Sequence, residues 1–297
     1  MSDVDRSIPF IETHHHLWEI GRFPYAWLTD PGYPGHNELL GDYKMIRSTI
    51  GAPRRFFREL YGANVVRTVH VEADYSGDDP VEETAWLESV AGEYGHPNAL
   101  VVYVDLESQD AERQMERHLA ASSRVRGVRV RAHPDDPTSR AFVAAYRALG
   151  RLGLSYELNA SPGKLISGME VARAHPDTQV ILGHAGFPVR RDAEYFAWWR
   201  HEITKLATAG NVACKVSGLG MADNRWTLES LRPYVLHCIE AFGPDRIMFG
   251  TNWPVDILFA TYIETVDAYR RIVADAGFDR EEQARMLHGN AERFYRI

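Results

Sequence analysis

Short apolar runs recur along the chain, and each is bounded by turn residues. Most are rich in Val, Ile and aromatic residues, and several lack the alternation of polar and apolar positions that a half-exposed strand shows. Such runs are typical of strands buried on both faces. The pattern predicts eight buried strands, within residues 8–13, 64–73, 99–106, 124–132, 153–160, 178–185, 211–218 and 245–252.

Segments with helical periodicity and good helix formers lie between these runs. The first opens at Pro80 and ends at Gly95, as helix termini prefer, and the next begins at Ser108 and continues with acidic residues, which favour a helix start. The predicted helices occupy residues 80–95, 108–123, 138–153, 161–175, 193–209, 227–243, 261–277 and 279–295. Strands and helices therefore alternate.

The spacing of the strands favours one architecture over another. After the first strand, successive strands follow at intervals of roughly 25 to 34 residues, the length of one βα unit. This arithmetic predicts an α/β protein, a single (β/α)8 TIM barrel that occupies residues 1–297 as one domain. A doubly wound open sheet is the alternative, but it usually needs fewer repeats and a glycine-rich phosphate loop, which is absent after the first strand.

A longer gap follows the first strand, and an aromatic, proline-rich insertion fills it over residues 17–60. Long ordered loops at the carboxyl end of a barrel strand usually form part of a site or its lid. Tyr25 and Trp27 are the aromatic residues that we expect to cover a substrate. The alternative is a packed loop that closes one end of the barrel.

Composition and charge narrow the class of protein further. Acidic residues outnumber basic residues by 41 to 33, which argues against a nucleic-acid surface. No apolar run approaches the roughly 20 residues that span a bilayer, the amino terminus shows no signal-peptide stretch, and two cysteines are too few for a disulfide scaffold. We therefore expect a cytoplasmic protein that acts on a small molecule, without nucleic-acid or membrane partners. Aromatic residues on predicted helices leave a homodimer open.

In a barrel of this kind the active site lies at the carboxyl ends of the strands. His14 and His16 end the first strand two positions apart, so their side chains share one side of it, and His184 ends the sixth. Imidazoles directed into one barrel mouth can hold a divalent metal or polarise a carbonyl. Other polar residues at strand ends are candidates as well: Asn252 and Asp256 for catalysis, and His70, Glu72, Arg129, Arg131, Tyr156 and Asn159 for contact with the substrate.

Several of these candidates have a structural alternative. His70 and Glu72 share one face of the second strand and could equally form a buried pair. Arg129 and Arg131 could form ion pairs that cap the barrel, although a planar guanidinium also suits carboxylate recognition. Glu157 would be costly to bury alone, so a metal, an arginine or an outward orientation must explain it.

Motifs along almost the whole chain resemble those of the amidohydrolase superfamily. The resemblance is specifically to the amidohydrolase-2 branch, which includes sugar lactonases and pyrone-dicarboxylate lactonase. It rests on the order and spacing of IETHHHLWE, VHVEADY, RVRGVRV, VILGHAGFP, CKVSGL, MFGTNWPVD and the ending HGNAERFYRI. It implies a distorted (β/α)8 barrel and, most often, hydrolysis of a lactone or a related carbonyl compound.

The resemblance also implies roles for individual residues. His14 and His16 match the family's His-x-His, and His184 matches its strand-six histidine. Asn252 stands where most members have an aspartate, the family's water-activating base and often a metal ligand; Glu12 stands where aspartate is usual. An amide can orient water or bind an oxygen, but it cannot abstract a proton.

The loss of that aspartate leaves the metal and the base open. With a glutamate, the three histidines would suffice for one zinc or manganese ion. Some lactonases of this branch work without metal, and their histidines and arginine polarise the carbonyl. Asp256, Glu72 or His70 could replace the missing base, or a metal hydroxide could act without one.

The sequence therefore predicts a hydrolase that opens a small lactone bearing hydroxyl or carboxylate groups. His14, His16 and His184 would polarise the carbonyl, and Arg129 would hold a carboxylate or the developing oxyanion. Non-hydrolytic decarboxylation or hydration at the same site is one alternative. A binding protein that kept the pocket and lost turnover with the change to Asn252 is another.

Overall fold

The computed structural model describes residues 4–30, 32–33, 37–48 and 51–297. Eight strands form one sheet in which spatial order follows chain order, and every neighbouring pair is parallel. The strands are β1 (Phe10–His15), β2 (Val65–Val71), β3 (Ala99–Tyr103), β4 (Val125–Arg129), β5 (Ser155–Leu158), β6 (Val180–Leu182), β7 (Val212–Val216) and β8 (Ile247–Phe249). Seven of the predicted runs each contain one of them, and the first run, residues 8–13, overlaps β1, which continues to His15.

Helices follow every strand. Three short ones lie between β1 and β2, namely α1 (Ala26–Thr29), α2 (Asn37–Leu40) and α3 (Pro53–Glu59). The later ones are α4 (Val81–Tyr94), α5 (Ala111–Ala121), α6 (Arg140–Arg151), α7 (Leu165–Ala174), α8 (Ala193–Leu206), α9 (Leu228–Phe242) and α10 (Tyr262–Asp275). The predicted (β/α)8 barrel is confirmed. In the described part of the chain, no helix is both long and apolar enough to cross a membrane.

The carboxyl-terminal segment departs from the single helix predicted over residues 279–295. It divides into α11 (Arg280–Ala284), a π-helical turn (Arg285–Gly289) and α12 (Asn290–Tyr295). The buried Asn290 donates its side-chain amide to the backbone carbonyls of Pro244 and Ile247 at 2.7 and 2.8 Å. This anchor, together with the wider π turn, directs α12 into the amino-terminal end of the barrel.

The two faces of each strand pack against different layers. Outward side chains such as Val128 and Leu182 belong to the core between the sheet and the helices. Inward side chains fill the amino-terminal end of the barrel with residues from α12, in a cluster of Ile11, Val69, Val71, Ala99, Val101, Ile181, Ala213, Met248, Ala291, Phe294 and Tyr295. The polar side chains that line the cavity lie at the carboxyl end of the barrel.

β1 and β8 close the barrel without a regular ladder. The register of β1 against β2 shifts between Glu12 and His15, which marks a bulge. Three hydrogen bonds join the end of β1 to β8 and to the residues that follow it. They run from Thr13 Oγ1 to Phe249 O (2.6 Å), from Asn252 N to His14 O (2.8 Å) and from His16 N to Trp253 O (2.7 Å). We call residues 12–16 and 249–253 the seam.

The bulge decides which side chains of β1 face inward. Ile11 packs inside the barrel, so unbroken alternation would place His15 inside with it. The ring of His15 instead stacks on Phe56 of α3, with ring centroids 4.1 Å apart, and His14 and His16 turn inward. With the bulge, His14 and His16 face inward; without it, only His15 would.

Described residues of the insertion form an apolar cluster over the carboxyl end of the barrel. Trp18, Tyr25, Trp27 and Tyr43 pack together with residues that follow β2, β7 and β8. Trp27 anchors the cluster, because its indole N–H donates to the Ala73 carbonyl at 2.9 Å. The insertion is thus a packed cap on the barrel mouth.

Candidate active site

A cavity of about 200 Å³ opens beneath this cap, at the carboxyl ends of the strands. Of the residues that the sequence nominates, seven line it together: His16, Trp27, Arg129, Arg131, Asn159, His184 and Asn252. The rest of the lining comes from Leu39, Leu40, Ala73, Asp74, Phe187, Met221 and Val255. Polar side chains from the strand ends and mostly apolar side chains from the loops therefore share the lining.

His16 presents a proton acceptor to the cavity. Its Nδ1 lies 2.8 Å from the Val71 carbonyl and 3.1 Å from the Glu72 carbonyl. A carbonyl oxygen only accepts, so Nδ1 carries the proton and Nε2 keeps its lone pair. Burial, reinforced by the charge of Arg129, lowers the pKa of His16 to about 4. The ring is neutral at neutral pH.

His14 lies deeper than the sequence suggests. It precedes His16 by two positions, about 6–7 Å along a strand, and it does not line the cavity. Its ring centroid is 4.2 Å from that of His184 and 5.0 Å from that of His16. Burial lowers its pKa well below the usual value, and neither ring nitrogen has a hydrogen-bond partner among the described residues. His14 is therefore packed against the two histidines that line the cavity, and its polarisation of a substrate stays a prediction.

His184 enters the cavity from an unusual backbone turn after β6. Its φ is +49°, and the residues that follow, through Phe187, also have positive φ. The Ser217 hydroxyl lies 3.0 Å from Nδ1, and burial lowers the pKa of this histidine well below its usual value. A second neutral imidazole thus stands beside His16.

Arg129 is held by Glu72 at the base of the cavity. Nε donates to Glu72 Oε1 at 2.7 Å, and Nη2 lies 2.6 Å from the same oxygen and 2.9 Å from the Glu72 carbonyl. Glu72 is fully buried and does not line the cavity, and its partner in the structure is Arg129. The bond leaves Arg129 Nη1, which bonds to none of the described residues, as the donor for a ligand.

Asp74 is a cavity residue that the sequence reasoning missed. Burial, with the nearby charge of Glu72, raises its pKa to about 6. Its carboxylate lies 3.3 Å from Nε of Arg131, whose Nη2 donates to the Tyr75 carbonyl at 2.9 Å. Its place just after β2, in the motif VHVEADY, is the signal that could have identified it.

Asn252 and Asp256 form a hydrogen-bonded pair after β8. The amide Nδ2 of Asn252 donates to Asp256 Oδ1 at 2.8 Å, and Asn252 adopts a φ of +57°, which asparagine tolerates. Asp256 lies behind Asn252 and outside the cavity lining, and burial raises its pKa to about 7. With the amide nitrogen facing Asp256, Oδ1 of Asn252 turns away from it.

Three predicted substrate contacts lie elsewhere. His70 points outward from β2, where its Nε2 accepts the Leu17 N–H at 3.0 Å. Tyr156 points outward from β5, and its hydroxyl lies 3.0 Å from His133 Nδ1. Tyr25 is wholly buried inside the cap. Strand register and loop packing turn all three away from the cavity.

Glu157 has a partner inside the barrel, beneath the cavity. Lys215 Nζ donates to Glu157 Oε2 at 2.9 Å, and the hydroxyl of Tyr295 donates to Oε1 at 2.5 Å. All three side chains are buried, so the carboxylate is compensated by a cation and a hydroxyl. The ion pair with Lys215 therefore accounts for the burial of Glu157.

The predicted metal ligands are His14, His16 and His184, which would each have to direct a ring nitrogen at one point. His14 lies below the other two. Within the described ranges, no group of three or more His, Cys, Asp or Glu side chains is placed to hold an ion. The predicted zinc or manganese site is therefore not confirmed.

Two neutral imidazoles and an arginine meet at the carboxyl mouth of a (β/α)8 barrel, which is where enzymes of this fold have their active sites. The chain belongs to the Amidohydrolase family, whose model, Amidohydro_2, matches residues 11–297. It is a hydrolase of the amidohydrolase type, as the motifs predict.

Three similar proteins match the chain over almost its whole length. Uncharacterized protein y4mH of Sinorhizobium fredii is 35% identical and covers 100% of both chains. The L-fucono-1,5-lactonase of Burkholderia ambifaria is 28% identical over 97% of this chain and 95% of its own. An amidohydrolase of Burkholderia multivorans, solved with bound zinc, is 23% identical with a TM-score of 0.79 over 97% and 99% of the two chains.

Proposed function

We propose that the chain hydrolyses a small lactone that carries hydroxyl or carboxylate groups. Water adds to the carbonyl carbon, the ring C–O bond breaks, and a hydroxy acid leaves. The observation that carries the proposal is one cavity in which a neutral imidazole acceptor, His16, shares the lining with the guanidinium of Arg129. The similarity to proteins named L-fucono-1,5-lactonase supports a lactone as substrate.

The attacking water would lie between His16 and Asn252. Nε2 of His16 accepts one proton of the water, and Oδ1 of Asn252 accepts a hydrogen bond from the other. Asp256 fixes the amide in that orientation and does not itself touch the water. The proton taken by His16 then passes to the ring oxygen as the C–O bond breaks, so the enzyme ends the cycle neutral.

Arg129 would stabilise the oxygen that becomes negative. Its free Nη1 donates to the lactone carbonyl, and Glu72 prevents the guanidinium from moving as charge develops. His184 lines the cavity with Arg129 and is a neutral ring. Arg131, Asp74 and Asn159 form a polar wall that suits the hydroxyl or carboxylate groups of the substrate.

The test measures the hydrolysis of a panel of aldonolactones and carboxylated lactones. The proton that each reaction releases serves as the readout. We expect His16→Gln to lower kcat by about 10²- to 10⁴-fold, because glutamine cannot take the proton. His133→Gln is the matched control, since His133 is also buried but lies outside the cavity, and it should retain kcat. Equal activity of His16→Gln and the wild type would refute the site.

Two further measurements separate the alternatives. Release of CO₂ without ring opening would indicate decarboxylation at the same cavity. Elemental analysis of untagged protein, with assays in the presence of chelator, tests the metal. We expect substoichiometric zinc and manganese and chelator-resistant hydrolysis; one equivalent of metal with chelator-sensitive activity would contradict the mechanism proposed above.

A further inference from the structure

Glu12 connects the two strands that meet at the seam. Its carboxylate is fully buried, and Oε1 accepts hydrogen bonds from the backbone N–H of His14 at 2.8 Å and of Thr251 at 3.0 Å. Oε2 lies 3.2 Å from the same Thr251 nitrogen. One side chain therefore occupies the place of ladder hydrogen bonds that the bulge in β1 prevents.

The opposite strand leaves room for this carboxylate. A Cβ on Gly250 would lie 3.1 Å from Glu12 Oε1, 2.8 Å from the His14 nitrogen and 2.7 Å from the His14 Cβ. Any other residue at position 250 would push β1 and β8 apart. The seam is consequently packed around Glu12 and its two backbone donors.

The groups proposed to hold water follow directly on both strands. His16 comes four residues after Glu12, and Asn252 comes one residue after Thr251. Two backbone bonds fix their spacing, from Asn252 N to His14 O at 2.8 Å and from His16 N to Trp253 O at 2.7 Å. A shift at the base of the seam would therefore change the distance between the two water acceptors.

We propose that Glu12 is a positioning residue whose carboxylate joins β1 to β8 and so sets the distance between His16 and Asn252. Its effect on turnover rests on the proposed function; its hold on the two strands does not. The required property is an acceptor oxygen at the end of a side chain of this length. Glutamine retains that oxygen and alanine removes it.

The experiment compares the wild type with Glu12→Gln, Glu12→Ala and Thr13→Val. Thr13→Val removes a different seam bond, from Thr13 Oγ1 to Phe249 O, and leaves the Glu12 bonds in place. Amide hydrogen exchange is followed by mass spectrometry on peptides that contain His14 and Thr251. The values of kcat and KM are measured on the lactone that the wild type opens fastest.

We expect Glu12→Ala to expose both amides to exchange and to lower kcat about 100-fold with KM nearly unchanged, since misplacement of about 1 Å has this effect. Glu12→Gln and Thr13→Val should keep protection at both amides and retain kcat. Wild-type exchange and kcat in Glu12→Ala would overturn the proposal. So would an equal loss of kcat in Glu12→Gln or in Thr13→Val.

The experiment still decides if Glu12→Ala fails to fold or if the wild type opens no lactone. If Glu12→Ala does not fold, Glu12→Gln decides alone: wild-type protection and kcat support the proposal, and the loss of either overturns it. If the wild type opens no lactone, the proposed function fails, and the exchange comparison still decides whether Glu12 holds the two strand ends.

Discussion

At the scale of single residues, Asn252 and Asp256 form a hydrogen-bonded pair at the place where the family motif implies a single aspartate. The amide lies at the cavity, and the carboxyl group lies behind it at 2.8 Å. Burial raises the pKa of Asp256 to about 7, so the protonation of its carboxyl group changes near neutral pH. The pair can orient water, and proton removal then falls to an imidazole.

The substitution Asn252→Asp tests this division of roles. It would place two carboxyl groups within hydrogen-bond distance, so that they share one proton and the pKa of the pair rises further. We expect kcat at pH 7 to fall about 10²-fold, as judged by lactone hydrolysis. A gain of hydrolysis would instead show that the asparagine impairs a conventional aspartate site.

Gly218 provides a second test at this scale. A Cβ there would lie 2.4 Å from Nδ1 of His184, and its φ is +62°, so Gly218→Ala should strain the backbone and displace that ring. Gly153→Ala is the matched control: its φ is +68° and nothing lies within 4 Å. Both should cost about 1–2 kcal/mol of stability, measured by urea unfolding, and only Gly218→Ala should lose activity. Similar activity in the two variants would argue against His184.

Sequence reasoning identified residues better than orientations. His16, His184 and Arg129 follow from their positions at strand ends, because the fold brings those ends together. Whether a side chain points inward depends on register, and a single bulge reverses it. Strand register turns His70 and Tyr156 away from the cavity, which their positions at strand ends do not reveal. Asp74 was passed over because a carboxylate after a strand has no distinctive spacing.

At the scale of elements, α12 completes the interior of the barrel. Tyr295 reaches Glu157, which in turn pairs with Lys215, so the last helix is bonded to β5 and, through it, to β7. We expect Tyr295→Phe to lower the free energy of unfolding by about 1–3 kcal/mol, because a buried carboxylate oxygen loses its donor. Urea denaturation measures this effect. Tyr61→Phe, at a tyrosine that is 92% exposed, should change nothing; equal effects would contradict the role of the bond.

The succession of elements was predictable, and the finer divisions were not. Apolar runs locate all eight strands, because strands buried on both faces leave a continuous signal. The division of residues 279–295 by a π turn depends on tertiary anchoring of Asn290, which no periodicity reveals. The apolar lining from Leu39 and Leu40 likewise comes from a loop without a motif.

At the scale of the whole molecule, buried histidines govern stability against acid. Burial lowers the pKa of His14, His15, His16, His70, His96, His118, His133, His175 and His184. The unfolded chain therefore takes up protons at these positions below about pH 6.5, and the stability they confer is lost as pH falls. A smaller number of buried acids has the opposite effect on stability. Burial raises the folded-state pKa of their carboxyl groups, so the folded chain takes up protons there as pH falls; these acids are Glu12, Asp74, Glu83 and Asp256.

The balance predicts a lower free energy of unfolding at pH 5.5 than at pH 7.5. Each net proton taken up on unfolding contributes about 1.4 kcal/mol per pH unit. Urea midpoints at several pH values measure the slope. His118→Gln, which removes one of these protons outside the cavity, should make the slope shallower. Greater stability at pH 5.5 would show that the buried acids dominate.

The seam also has a consequence for synthesis of the chain on the ribosome. Glu12 and Thr251 are 239 residues apart, so at about 5–20 residues per second β1 waits roughly 10 to 50 seconds for β8 to appear. Throughout that interval the growing sheet has an open edge that neighbouring nascent chains can pair with. The first strand of the barrel is thus among the last to be satisfied, and the proposed water-binding pocket forms only after both ends of the seam have been made.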